Sequence, residues 1–300
     1  MKKILISAML LLAGLGVNAQ LLEVNSMQRV NMPEGMLVAI PTISPDGSYV
    51  VVSDLATDGL TKISLDGSAP VTVATNGSGL DVRFSADGKQ VIFRQATMDR
   101  NHLRKTALKS VDLTTGKETQ IVAPSRNLNA GIAVAGNTVT AVENGRAKVR
   151  ALGTGSSAAA PVVSINYGHL TYTANGKTVT LDPQGRGSYI WPTLSPDGTK
   201  IAYYLSGGGC YVCNTDGSNP VHMGELRAAK WLDNNTLVGM KDTDNGEFTT
   251  ASEIVATNLQ GTRQVLTTDA QIAMYPSVSA DGKKIAFSTP AGELYIINIK

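Results

Sequence analysis

Hydrophobic and polar positions alternate in short runs along this chain, and the runs come in pairs separated by tight turns. Four segments repeat one pattern: Pro41–Val52, Val82–Phe93, Pro192–Tyr203 and Pro276–Phe287. Each reads as a strand, a Ser-(Pro/Ala)-Asp-Gly turn and a second strand rich in β-branched and aromatic residues. The turn residues have separate physical jobs. Proline presets φ, aspartate hydrogen-bonds the nearby backbone, and glycine takes the positive φ that ends the turn. The run that follows suits a half-buried strand. Gly131–Val142 and Ala229–Met240 are weaker copies, turning at Ala135–Asn137 and Asp233–Asn235. Asparagine tolerates the left-handed conformation there.

A second hairpin is expected after each copy, turning at Gly67, Gly116, Gly176, Gly217 and Gly261. Xaa-Gly steps between alternating runs are strong hairpin signals. Each unit is therefore four strands, and there are six units. The sixth ends on Glu293–Ile299 and lacks its outer strand. The segment Leu21–Asn25 precedes the first unit and belongs to no other, so it is expected to supply that strand. The predicted fold is all-β: a six-bladed β-propeller closed by an N-terminal strand pairing with the last blade. Radial four-stranded units leave only short, protected edges, and the borrowed strand covers one more. A β-sandwich explains short strands but neither the repeat nor the missing strand.

The third unit is the least regular. A flexible insertion is expected between Ala151 and Val163. Its third strand is either Ala147–Leu152 or His169–Thr173, and the second reading is preferred. The other reading adds a partial seventh blade.

Composition narrows the function classes. Lys2 and Lys3, an uncharged apolar stretch from Ile4 to Val17 and small residues up to Ala19 form the pattern of a cleaved secretory leader over residues 1–19. The propeller then spans 20–300, in the periplasm or outside the cell. No lipid-anchor cysteine follows the leader, and no later apolar run is long enough for a membrane span. Without the leader lysines, the 26 basic residues fall to the same number as the 24 acidic ones. That balance lacks the electrostatic footprint of a nucleic-acid binder. Cys210 and Cys213 lie three apart in one strand run, too far apart for a disulfide, and are expected to be buried free thiols.

The Ser-(Pro/Ala)-Asp-Gly repeats resemble the propeller repeats of the TolB family from about Pro41 to Lys300. The resemblance implies the fold. TolB carries an extra α/β domain before its propeller, and this chain has only about 20 residues between the leader and the first repeat, so it is similar to the propeller alone. Relatives of that kind include translocation proteins, peptidase propellers and sugar-acid lyases.

The search for chemistry returns little. Gly-x-Ser-x-Gly, HExxH and paired CxxC motifs are absent. TolB-like lyases use a histidine cluster in the channel. Here His102 is expected in a loop, while His169 and His222 fall in strands away from the channel, so no metal or other cofactor is expected. Lys241–Glu247 is read as a solvated turn rather than a calcium loop. The loops that join each outer strand to the next inner strand, and each second strand to its third, emerge on one face. That face is expected to carry a long loop, 95–105, with Asp99, Arg100, His102 and Arg104, and also Arg126, Asn127, Tyr189, Arg227 and Tyr275. Such residue types are enriched at binding hot spots. The expected function is a monomeric, non-catalytic binding protein for a protein or peptide partner, with a glycan as a further candidate ligand. The alternative is a metal-assisted lyase or hydrolase acting on acidic oligosaccharides in the channel.

Overall fold

A computed structural model describes residues 20–152 and 159–300. The leader expected over 1–19 and the centre of the expected insertion lie outside the described residues. Among the described residues all regular structure is β, in six sheets that form the six blades. None of them forms a helix long and apolar enough to cross a membrane.

Strand β1 (Val24–Arg29) precedes the first blade. Blade 1 holds β2 (Ala39–Ile43), β3 (Tyr49–Ser53), β4 (Leu60–Ser64) and β5 (Val71–Ala74). Blade 2 holds β6 (Leu80–Phe84), β7 (Gln90–Met98), β8 (Arg104–Asp112) and β9 (Glu118–Ser125). Blade 3 is double. One meander is β10 (Leu128–Ala135), β11 (Thr138–Glu143) and β12 (Arg146–Ala151); the other is β13 (Val162–Asn166), β14 (His169–Ala174) and β15 (Lys177–Thr180). Blade 4 holds β16 (Tyr189–Leu194), β17 (Lys200–Leu205), β18 (Gly209–Asn214) and β19 (Val221–Gly224). Blade 5 holds β20 (Arg227–Trp231), β21 (Thr236–Asp244), β22 (Thr249–Asn258) and β23 (Arg263–Val265). Blade 6 holds β24 (Met274–Val278), β25 (Lys284–Ser288) and β26 (Leu294–Ile299), and β1 completes it.

The repeated turn is a local hydrogen-bond device. Ser44, Ser85, Ser195 and Ser279 each donate to the aspartate two residues on, at 2.6–2.7 Å. Each serine hydroxyl also accepts a backbone N–H five residues on, at 2.9–3.1 Å. The following glycines, Gly47, Gly88, Gly198 and Gly282, hold φ between 67° and 71°. These bonds fix the reversal before any blade packs on another.

Packing follows from the two-residue period of a strand. Val50 and Val52 face the core shared with blade 6, while Tyr49 and Val51 face the core shared with blade 2. In β7, Val91 and Phe93 face blade 1 and Ile92 faces blade 3. Hence the second strands are apolar on both faces. Six apolar clusters result, one between each pair of neighbouring blades around the ring. Cys210 and Cys213 are buried free thiols facing opposite interfaces, and burial pushes both thiols up to about 12.

The ring closes as expected, with a shifted boundary. β1 pairs antiparallel with β26 from Val24↔Ile299 to Arg29↔Tyr295. The expected strand began at Leu21, but the Leu21 and Leu22 N–H groups instead donate to Gln264 Oε1 at 2.8 Å.

Blade 3 corrects the preferred strand assignment. Arg146–Ala151 is the strand that pairs with β11, from Glu143↔Arg146 to Thr138↔Ala151. His169–Ala174 is the middle strand of the second meander. The two meanders join at their inner strands through one antiparallel pair, Ala130↔Ile165. Outer strands β12 and β15 also lie against each other, so the sheet is folded on itself. A Cβ on Gly131 would sit 2.6 Å from the Val163 carbonyl oxygen, which is why the join needs glycine there.

The expected long loop 95–105 is also corrected. β7 and β8 continue in register to Met98↔Arg104, and only 99–103 turn. Likewise Asp242 and Asp244 lie in β21 rather than in a solvated turn.

Candidate functional site: the central channel

Every blade begins with a short inner strand, and these strands bound a central channel with a volume of about 710 Å³. β13 contributes Ile165 as a further wall residue. Five inner strands share one irregularity. The ladder slips at Ala39/Thr42, Leu80/Arg83, Ile190/Thr193, Arg227/Lys230 and Met274/Ser277. At each slip one residue has positive φ: Ile40, Asp81, Trp191, Ala228 and Tyr275, between 44° and 54°. This is a β-bulge, which bends the strand and re-aims its side chains. Three of these residues are bulky, and bulky residues seldom adopt that backbone conformation. Pro41, Pro192 and Pro276 follow them, residues with no N–H to leave unpaired.

The residues lining the channel include, from each of these strands, the left-handed one and the one two positions later. In blades 1, 4 and 6 these are Ile40 and Thr42, Trp191 and Thr193, Tyr275 and Ser277. Blade 2 instead places Asp81 and Arg83 there, and blade 5 places Ala228 and Lys230. Arg94 joins them from β7.

These four charged groups are coupled. Arg94 Nη1 pairs with Asp81 Oδ2 at 3.0 Å, with side chains 14% and 25% exposed. The Gly131 N–H donates to the same oxygen at 3.2 Å. Burial works to raise the Asp81 pKa, but Arg83 and Arg94 outweigh it and hold the carboxyl below its ordinary value. The Lys230 side chain makes no hydrogen bond or ion pair with a described residue, while its backbone pairs with Val238 in the ladder. Burial lowers its pKa, Arg83 lowers it further, Asp81 opposes both, and the result is about 8. Arg83 donates through Nη1 to the neighbouring Val82 carbonyl at 2.8 Å. Buried Arg94 Nε has no partner among the described residues.

A desolvated ammonium beside a guanidinium opposes folding. A fall from 10.5 to about 8 corresponds to about 3.4 kcal/mol at about 1.4 kcal/mol per pKa unit, and because the Lys230 side chain is only half-buried and screened by solvent, Lys230→Met is expected to stabilise the protein by roughly 1–2 kcal/mol. The penalty is fully present below about pH 8 and is relieved as pH rises from about 8 towards 10.5, where the unfolded chain still holds its proton. Calorimetry should show a higher Tm for the variant at pH 7 and a narrowing gap by pH 10. An equal or lower Tm at pH 7 contradicts this account.

Beside Trp191 lies an aromatic and cationic cluster. The Arg227 guanidinium stands over the Trp191 ring at 5.4 Å and the Tyr204 ring at 5.9 Å. Its Nη1 pairs with Asp242 Oδ2 at 2.7 Å, and the Asp242 side chain is only 3% exposed. Tyr204 OH donates to Glu225 Oε2 at 2.9 Å.

The structure sorts the residues expected at the binding face into separate places. Tyr275 is part of the channel wall, and Arg227 belongs to the cluster beside Trp191. Asp99, Arg100, His102 and Arg104 lie at the tip of the blade 2 hairpin. Asp99 shapes that turn, accepting from Asn101 and Leu103 N–H at 2.9 and 3.0 Å, while Arg100, His102 and Arg104 are exposed. Arg126 and Asn127 are exposed on the turn into β10. Tyr189 is corrected: it is fully buried, its hydroxyl donating to Gly185 O and accepting from Gln184 N–H, both at 2.9 Å. As the first residue of β16, Tyr189 packs in the core between blades 3 and 4.

His169 bonds Asp182 at 2.6 Å, and His222 packs on Tyr211 with ring centroids 4.8 Å apart. Among the described residues no three His, Cys, Asp or Glu side chains are grouped to hold a metal ion. Asp81, Arg83 and Arg94 are not among the residues expected from the sequence. Their signal lies in the repeats set against one another, where Asp81, Arg83 and Lys230 break the pattern of a bulky residue, proline and a hydroxyl residue seen at Ile40–Thr42, Trp191–Thr193 and Tyr275–Ser277.

No known family model matches the chain, and no curated protein matches it. Among solved structures it is similar to an oligogalacturonate lyase in complex with manganese, at 15% identity and a TM-score of 0.49, covering 89% of this chain and 78% of that one. The likeness to TolB propellers thus stays at the level of the repeat pattern.

Proposed function

We propose that this propeller is an exported, non-catalytic binding module that takes a protein or peptide partner at its channel. One observation carries the reading: Arg227, held over Trp191 and Tyr204 and anchored by Asp242, sits beside a channel whose wall includes the apolar Ile40, Ile165 and Trp191. Arg, Trp and Tyr dominate binding energy where they are held rigidly next to apolar surface. The anchored guanidinium loses little further freedom on binding, and a preorganised surface binds at lower entropic cost.

Selection of random displayed peptides on the immobilised protein tests this. A consensus is expected, and Arg227→Lys should weaken the selected peptide at least tenfold, because lysine keeps the charge for Asp242 but not the planar stacking group. Failure to enrich any peptide, or turnover of an acidic polysaccharide by the same preparation, would reject the reading.

A further inference from the structure

We infer that the channel binds an organic carboxylate carried on an apolar body, with Arg83 and Lys230 as the charged partners; a peptide's free C-terminus is the form that suits the function proposed above, on which this inference rests. Three observations converge on it.

The first is the charge balance. Arg83, Arg94 and Lys230 face one carboxylate, Asp81, and Arg94 already holds that carboxylate at 3.0 Å. Arg83 spends one N–H on the adjacent Val82 carbonyl, and the Lys230 side chain spends none on a described residue. Three cations therefore share one carboxylate, which leaves the channel with an excess of two positive charges. Their mutual action is visible in Lys230, whose proton affinity Arg83 lowers and Asp81 raises.

The second is that the fold does not need them. The same register position carries Thr42, Thr193 and Ser277 in three other blades, and the bulge forms there equally well. A small hydroxyl residue closes the strand without desolvating a charge. Groups that oppose folding and have a small-residue alternative at equivalent sites are characteristic of binding surfaces.

The third is the wall, which selects the anion. Pro41, Pro192 and Pro276 remove three backbone N–H donors from the channel, and Ser277 Oγ accepts the Ile43 N–H at 3.0 Å, which leaves its O–H as a single donor. Phosphate sites rely on several converging backbone donors, and a sugar acid needs partners for its hydroxyls. Ile40, Ile165 and Trp191 offer apolar surface instead. One guanidinium fork and one ammonium match the two oxygens of a carboxylate, and the volume of about 710 Å³ suits a ligand of a few residues.

Calorimetric titration of the whole protein tests the inference with four probes: a hydrophobic N-acetyl dipeptide acid, its C-terminal amide, galacturonate and inorganic phosphate. The acid should bind saturably at pH 7, and the other three at least tenfold more weakly. Arg83→Met and Lys230→Met should each weaken the acid at least tenfold. Since Lys230→Met is expected to fold more stably, lost binding there is not misfolding. Affinity should also fall between pH 7 and 9 as Lys230 gives up its proton, with Asp81, Arg83 and Arg94 as the charges facing it. Equal binding of acid and amide, preference for phosphate or galacturonate, or indifference to both substitutions would overturn the inference. If displayed peptides bind with Arg227 dependence but the dipeptide acid does not compete, the channel inference fails and the binding module stands. If neither class binds, both fail.

Discussion

Asp81→Ala is expected to destabilise the propeller by about 3 kcal/mol, the low end for removing one partner of a buried ion pair. Asp81 carries three tasks at once. It neutralises Arg94 at 3.0 Å, accepts the Gly131 N–H at 3.2 Å, and occupies a left-handed backbone position at φ 52°. Alanine does neither of the first two, although it can hold the backbone position, as Ala228 does at φ 50°. It leaves the Arg94 guanidinium, whose Nε already lacks a partner among the described residues, facing Arg83 and Lys230 with no anion. Asp81→Asn should lose less, about 1–2 kcal/mol, because it tolerates positive φ and keeps an oxygen for Gly131. The pH dependence has a definite sign. A carboxyl held below its ordinary pKa contributes stability above about pH 4 and loses it as pH falls through the lowered value. Urea unfolding at pH 7 should show the full gap between the wild type and Asp81→Asn, and the gap should shrink on acidification. A wild-type stability for Asp81→Ala at pH 7 would mean that the pair is hydrated enough to be inert.

The parts of the fold that were legible are those in which each residue answers a local demand. Ser279, Asp281 and Gly282 satisfy their own turn without help from another blade, so the repeat announces itself. The closing strand could be inferred by counting, but its register could not, because the Gln264 side chain tethers Leu21 and Leu22 from another blade. β12 is the less favoured of the two readings because Arg146–Ala151, although it alternates charged residues with Ala147, Val149 and Ala151, stands largely in solvent and offers only small or exposed apolar side chains. The outer half of the β7–β8 hairpin looked like a loop for a similar reason: Thr97 and Met98 are exposed, and only the ladder holds them. The channel was the least legible. A charge at every second strand position ordinarily marks the solvent side, and Arg83 and Lys230 keep that rhythm. The bulge sets their place at the channel wall, and the proline that follows Ile40, Trp191 and Tyr275 at the other bulges is missing after Asp81 and Ala228, in the two blades that carry Arg83 and Lys230.

Removing residues 20–30 is expected to lower Tm by about 10 °C and to make the protein self-associate. Val24 and Met27 of β1, with Leu21 and Leu22 before it, pack against the core between blades 5 and 6. Four partly buried side chains at about 1 kcal/mol each give roughly 4 kcal/mol, and a domain of this size shifts by about 2–4 °C per kcal/mol. The second effect is geometric. Without β1, strand Leu294–Ile299 becomes an open, apolar edge able to pair with another copy. Scanning calorimetry and size-exclusion chromatography over a range of concentrations would show both, and a peptide of residues 20–30 supplied in trans should reverse them. A monomer with unchanged Tm would show that blade 6 stands without its fourth strand. The surface ion pairs at the seam, Arg29–Glu293 at 3.2 Å and Lys300–Glu23 at 3.0 Å, involve Arg29, Lys300 and Glu23 side chains that are more than half exposed. Such pairs add little. Glu23→Ala should therefore leave Tm nearly unchanged, which separates closure by the strand and its apolar face from closure by charge.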